Sequence, residues 1–280
     1  MSTNSLDANS KLLKFAVVNL KAEFGAQEKN LTRITGWVKR LTDQGAEVIG
    51  FPEMSLCGYD RTDTLIPYLE RIPGASTQAL SVLAARYDVL IMAGLATFDK
   101  VGNKHISQVA VSPDGVEAVY HKNYLSPKEM QFFSSGCEAA VVQYRGWNIG
   151  MQLCYDTHFP TLSEAQALLG ADVLFMAFAS PNETSEEKCA RLMRFLPARA
   201  YDNSCYVVSC NLTGIGGSGQ QFPGGALAFS TKGKLLARAC GESEDNLLVS
   251  LKKPELDRIR SNPRAYFLSH QKLTNLRNKQ

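Results

Sequence analysis

Trp147-Asn148-Ile149-Gly150-Met151-Gln152-Leu153-Cys154-Tyr155-Asp156-Thr157-His158-Phe159-Pro160 begins as an apolar strand and breaks at a cysteine. Pro160 suits the first turn of a helix, and Thr161 to Leu169 continue one, so Cys154 is expected on a strand-turn-helix corner. Side chains on such corners project into the crevice where open α/β sheets bind ligands. The backbone N–H of Tyr155 could then serve a negative oxygen forming beside the sulfur. A lone strand-end cysteine is more often a small buried hydrophobe, so the assignment depends on the rest of the chain.

Outward from this corner the chain reads as alternating strands and helices. Leu12 to Leu20 is a nearly continuous apolar run, as expected of a strand covered on both faces. Leu31, Ile34, Val38 and Leu41 recur at helical spacing up to Gly45, and Val48-Ile49-Gly50-Phe51 then runs into Pro52-Glu53. A helix carrying Leu80, Leu83 and Tyr87 precedes the strand Val89 to Leu95. This order predicts parallel crossovers. Ser112-Pro113-Asp114-Gly115 reads as a hairpin turn whose second arm delivers His121-Lys122, and Arg145-Gly146 turns Val141 to Tyr144 into the Cys154 strand. Further on come a strand over Ala171 to Met176 and one helix from Ser185 to about Ala200, kinked at Pro197. A strand over Tyr206 to Ser209 leads to Gly214 to Gly219, which lacks a phosphate-loop lysine and is expected to be a mobile loop. Three strands near Ala226–Phe229, Leu235–Ala239 and Leu247–Leu251 should add antiparallel edges.

With 280 residues, 45% of them hydrophobic, the chain can bury a large core. A single domain is expected, with a core over about 13–251 and a tail over 252–280. A formal net charge of +3 from scattered basic residues does not suggest nucleic acid. No apolar run approaches the roughly 20 residues of a membrane span, and the polar N-terminus has no signal-peptide core. These features predict a cytoplasmic protein. Seven cysteines, an odd number, suggest a reducing compartment rather than a disulfide framework. No cysteine or histidine pair has partners at zinc-site spacing, so no metal is expected.

Glu53, Lys122 and Cys154 each lie where an expected strand stops. Together they supply a base, a cation for the thiolate and oxyanion, and a nucleophile, which is a complete acyl-transfer set. The segments Phe51-Pro52-Glu53-Met54-Ser55-Leu56-Cys57-Gly58-Tyr59, His121-Lys122-Asn123-Tyr124-Leu125 and Gly150-Met151-Gln152-Leu153-Cys154-Tyr155-Asp156 resemble the nitrilase, or carbon-nitrogen hydrolase, superfamily. Order, spacing and flanking residues agree from Leu13 to Leu251. The resemblance implies an α/β fold, a four-layer α-β-β-α sandwich, commonly assembled as dimers or higher oligomers. It implies a Glu53-Lys122-Cys154 triad and, in Glu129, a second glutamate that positions the lysine and substrate. Asp156 continues the cysteine motif, but His158 stands where many members carry arginine, and Asn182 to Lys188 departs from their tryptophan-containing loop.

The expected function is hydrolysis of a non-peptide C–N bond in a small amide or N-carbamoyl compound through a cysteine thioester, without cofactor. Nitrile hydrolysis is the nearest alternative, and a non-catalytic scaffold or a redox sensor is more remote. The helix after Ser185 spaces Lys188, Arg191 and Arg194 three residues apart, which suggests recognition of an acidic substrate group, with Arg191 the first residue to test. A solvated basic face balanced by Glu183, Glu186 and Glu187 is the plain alternative. The tail aromatics Tyr266-Phe267-Leu268 suggest at least a homodimer, or else they pack on their own chain.

Overall fold

Parallel pairing of apolar strands organises both halves of the chain. The computed structural model describes residues 11–270, so the polar N-terminus and residues 271–280 of the tail lie outside the described residues. In the first half, β1 (Leu12–Asn19) pairs in parallel with β2 (Val48–Gly50), and β2 with β3 (Leu90–Phe98). The crossovers are α1 (Gln27–Thr42) and α2 (Ala75–Tyr87). Covering both sheet faces explains why Phe15 to Asn19 are buried without alternation. In α1, Ile34, Trp37, Val38 and Leu41 form the buried stripe, while Glu28 in the first turn and Lys39 and Arg40 in the last complement the helix dipole. β4 (Lys104–Ser112) and β5 (Gly115–His121) extend the sheet antiparallel through the expected hairpin.

The second half repeats this pairing pattern. The hairpin of β6 (Val141–Tyr144) and β7 (Trp147–Leu153) leads to α3 (Pro160–Leu168) and the parallel β8 (Val173–Phe178). β9 (Tyr206–Asn211) is parallel to β8, and β12 (Ala226–Phe229) and β13 (Leu235–Ala239) add antiparallel strands. β14 (Asp245–Lys252) crosses back and pairs antiparallel with β1, giving sheet orders β14-β1-β2-β3-β4-β5 and β13-β12-β9-β8-β7-β6. The two sheets pack face to face with helices outside. Phe15 and Phe175 meet between them at 5.8 Å, and a Cβ on Gly50 would lie 2.5 Å from the Phe175 ring. Emptying the Phe175 position would cost about 3–5 kcal/mol.

Several expectations are corrected. The helix from Ser185 is two helices, α4 (Ser185–Leu192) and α5 (Leu196–Asn203). Pro197 sits in the first turn of α5, where its missing N–H is harmless, so it opens a helix instead of kinking one. Met193 is exposed in the break. The glycine-rich stretch forms the short hairpin of β10 (Thr213–Ile215) and β11 (Gln221–Pro223), with the Gly217 N–H donating to Tyr59 O. Cys189 and Cys240 form a disulfide, contrary to the expectation of free thiols, because α4 and the chain just after β13 bring their Cα atoms to 6.4 Å. In the tail, α6 (Lys253–Arg260) is anchored by Arg260 to Asp172 at 2.8 Å. Phe267 meets Tyr201 of the same chain at 5.5 Å, the intrachain alternative for the tail aromatics. Among the described residues, no helix is long and apolar enough to cross a membrane.

Candidate active site

The ends of β2, β5, β7 and β8 converge in the sandwich interior. Beyond β2, Phe51 N donates to Met92 O and Gln108 Nε2 donates to Phe51 O at 3.1 Å, which fixes the approach to Glu53. Met54 follows at φ +58°, a left-handed conformation sparsely populated by side-chain-bearing residues. Gly94 makes this possible, since a Cβ there would lie 2.3 Å from Met54 N. Glu53 is wholly buried, and its Oε2 accepts the Ala179 N–H at 2.9 Å, just past β8.

Lys122, immediately after β5, is also buried. Its Nζ lies 2.7 Å from Glu53 Oε1 and 2.8 Å from Glu129 Oε1, so one ammonium bridges two carboxylates. Glu129 is held by the Tyr59 hydroxyl at 2.9 Å and the Ser126 N–H at 2.7 Å. Burial opposes the charge on Lys122, but Glu53 and Glu129 outweigh it and hold the ammonium well above the ordinary lysine range. Burial likewise opposes the Glu129 charge, and there Lys122 and the hydrogen bonds win, lowering its pKa. Two acids sharing one cation cannot both be fully stabilised. Burial, reinforced by Glu129 against the pull of Lys122, pushes Glu53 up to about 7.

Cys154 follows β7 directly, at φ +41° on the first residue of a 3-10 turn over Cys154–His158. Asp156 builds this corner: it accepts the Leu153 N–H at 2.9 Å, the Tyr124 N–H at 2.8 Å and the Tyr120 hydroxyl at 2.7 Å. Burial raises its pKa, and its oxygens are spent on the scaffold. Cys154 is partly exposed. Burial and then Glu53 push its thiol up to about 11, against Lys122 and Lys188. Cys154 is therefore held as a thiol, and forming its thiolate at neutral pH requires a base.

The other expected residues divide. Tyr155 is partly buried beside the cysteine. His158 is exposed, with its pKa lowered by burial of part of the ring and by Arg191 and Lys188. Arg191 is already paired, with Nε 2.7 Å and Nη2 2.8 Å from the two Glu183 carboxylate oxygens and Nη2 3.0 Å from Ser180 Oγ. Sequence reasoning gave no role to Tyr59, although it closes the quoted glutamate segment, or to the Ala179 N–H, which as a backbone group leaves no residue-type signal. The cleft of about 810 Å³ lined by Thr184, Glu186, Arg238, Cys240 and Asp245 contains none of Glu53, Lys122 and Cys154.

Comparison with known proteins agrees with this architecture. The chain is 30% identical over 254 residues to an (R)-stereoselective amidase of Pseudomonas sp., covering 91% of this chain and 89% of that one. It is 30% identical over 244 residues to a nitrilase of Pyrococcus abyssi, covering 85% and 89%. The crystal structure of a carbon-nitrogen hydrolase from Helicobacter pylori superposes with a TM-score of 0.85 at 18% identity, over 96% of this chain and 98% of that chain, and supports the two-sheet fold. The pattern of the carbon-nitrogen hydrolase family matches residues 14–260, and the chain belongs to that family.

Proposed function

We propose that the protein is an amidohydrolase that cleaves the C–N bond of a small amide or N-carbamoyl compound, with Cys154 as nucleophile, Glu53 as acid and base, and Lys122 as electrostatic stabiliser. The observation that carries this reading is the buried Lys122 ammonium bridging Glu53 and Glu129 beside a strained strand-end cysteine. A thiol near 11 is a poor nucleophile at neutral pH, whereas a carboxyl near 7 is divided between its two forms there and can both take and give a proton.

Glu53 accepts the Cys154 proton as sulfur adds to the carbonyl carbon. The oxyanion is held by Lys122 Nζ and the Tyr155 N–H. Glu53 then gives the proton to the nitrogen as the C–N bond breaks, releasing ammonia or an amine and leaving a thioester. Water, losing a proton to Glu53, adds to the thioester; collapse frees the carboxylic acid and returns a proton to sulfur. Glu129 keeps its charge throughout and fixes the lysine.

The similarity to the Pyrococcus abyssi nitrilase favours a nitrile as the second substrate reading, since the same groups can form and hydrolyse a thioimidate. Ammonia release from amides, carbamoyl compounds and nitriles by the parent protein and Cys154→Ala tests the proposal: amide turnover lost in the variant supports it, and nitrile turnover alone contradicts it. Assembly into at least a homodimer belongs to the same proposal, supported by the exposed Val82, Leu168 and Leu169 on the helical layers. Light scattering giving a mass near 30.7 kDa would contradict it. A cytoplasmic setting is also part of the reading, and cell fractionation that finds the protein outside the cytoplasm would oppose it.

A further inference from the structure

Of the three basic side chains spaced along α4 and the turn after it, Arg194 faces solvent and Arg191 is matched by Glu183. Lys188 differs from both. Its side chain is wholly buried, and its Nζ has no hydrogen-bond partner among the described residues. The ammonium lies 4.7 Å from the centre of the Phe178 ring, and the stem crosses Gly225, where a Cβ would stand 3.3 Å from Lys188 Cγ. A ring face replaces only a fraction of the hydration that a buried ammonium loses.

The helix holds this charge in place. Thr184 caps α4 by accepting the Glu187 N–H at 3.2 Å, while Glu187 Oε2 accepts the Thr184 N–H at 2.9 Å. The neighbouring Cys189 is bonded to Cys240. The position adjoins the reaction centre: Phe178 precedes the Ala179 N–H that binds Glu53, and Cys154 packs on the apolar cluster containing Phe178, Cys189 and Leu192. Lys188, Cys154 and Glu53 are close enough for each to feel the others' charge.

A buried ammonium without a partner, fixed beside a nucleophile that is partly open, is a site waiting for an anion. We infer that Lys188 is the counter-charge for a carboxylate on the substrate, so that the enzyme selects amides carrying a carboxylate a short distance from the scissile bond. The inference rests on the amidohydrolase reading and deepens it. The carboxylate can belong to the acyl part, as in monoamides of linear dicarboxylic acids, or to the leaving amine, as in N-carbamoyl amino acids.

Lys188→Met, which keeps the stem, and Lys188→Gln separate this role from others once circular dichroism confirms folding. The readout is the ratio of kcat/KM for an anionic amide to that for a neutral linear amide of equal length, measured with both families of probe. The ratio should fall about 10- to 100-fold in both variants, mainly through KM, for the family whose carboxylate reaches Lys188. An equal loss on anionic and neutral amides would overturn the inference and assign Lys188 to the thiolate, and an unchanged ratio would overturn it outright. Calorimetric binding of succinate and glutarate needs no turnover: binding that weakens on Lys188→Met supports the anion site even if the amidohydrolase reading fails. Turnover of amides with a ratio indifferent to Lys188 defeats this inference while leaving that reading intact.

Discussion

Replacing Lys188 with methionine should stabilise the protein. Burial lowers this lysine from its ordinary 10.5 to about 8, a depression equivalent to about 3 kcal/mol held against the charged form. Methionine retains most of the apolar stem over Gly225 and Phe178, so little packing is lost. The unfolded chain binds the lysine proton up to 10.5 and the folded chain only up to about 8, so the native state bears the whole penalty below about 8. Parent stability therefore rises relative to the variant between pH 8 and 10.5, and the gap closes there. Urea unfolding at pH 7 should place Lys188→Met about 1–3 kcal/mol above the parent, allowing for relaxation around the ammonium. The advantage should shrink at pH 9.5. A variant at least 1 kcal/mol less stable than the parent at pH 7 would refute this reasoning and make Lys188 an ordinary structural residue.

Three other outcomes follow from the site. Acylation measured as kcat/KM should fall tenfold per pH unit below about 7, because Glu53 must be ionised to accept the thiol proton; a profile flat from pH 5 to 8 would contradict its role. Glu129→Gln removes a negative charge that raises Glu53, so the acid limb should move to lower pH while kcat drops at least tenfold through the loosened lysine; an unmoved limb would show that the two carboxylates are not coupled. Gly94→Ala drives a Cβ against the Met54 N and Pro52 O, backbone atoms that cannot swing aside, and should destabilise the protein by about 1–3 kcal/mol and disable Glu53; wild-type activity and melting would show that the Glu53 corner is not tightly set.

The strands were legible because their residues are apolar without alternation, as in Phe15 to Val18 and Val173 to Phe178, and doubly covered strands need little else. Glu53 and Cys154 were legible as polar groups at the ends of such runs, and Lys122 at the end of a hairpin arm. Other features depend on tertiary contacts. The break after Leu192 is concealed by a continuous helical spacing, because Cys189 and Leu192 before it and Leu196 and Ala200 after it are buried in one cluster. The return of β14 to β1 crosses more than two hundred residues of sequence, and the Cys189–Cys240 bond spans 51. Equal spacing of Lys188, Arg191 and Arg194 gave no sign of which charge is buried. The loop carrying Glu183 folds back on Arg191, and Gly225, from another part of the chain, admits the Lys188 stem.

The central claim is that Cys154 carries the acyl group. Mixing the protein with a hydrolysable amide near pH 7, followed by acid quench within the first turnovers and intact mass spectrometry, reads this directly. The account predicts an added mass equal to the acyl part of the amide, mapped to the peptide containing Cys154 and absent in Cys154→Ala. Turnover without any adduct, together with a Cys154→Ala variant that still releases ammonia, would contradict it.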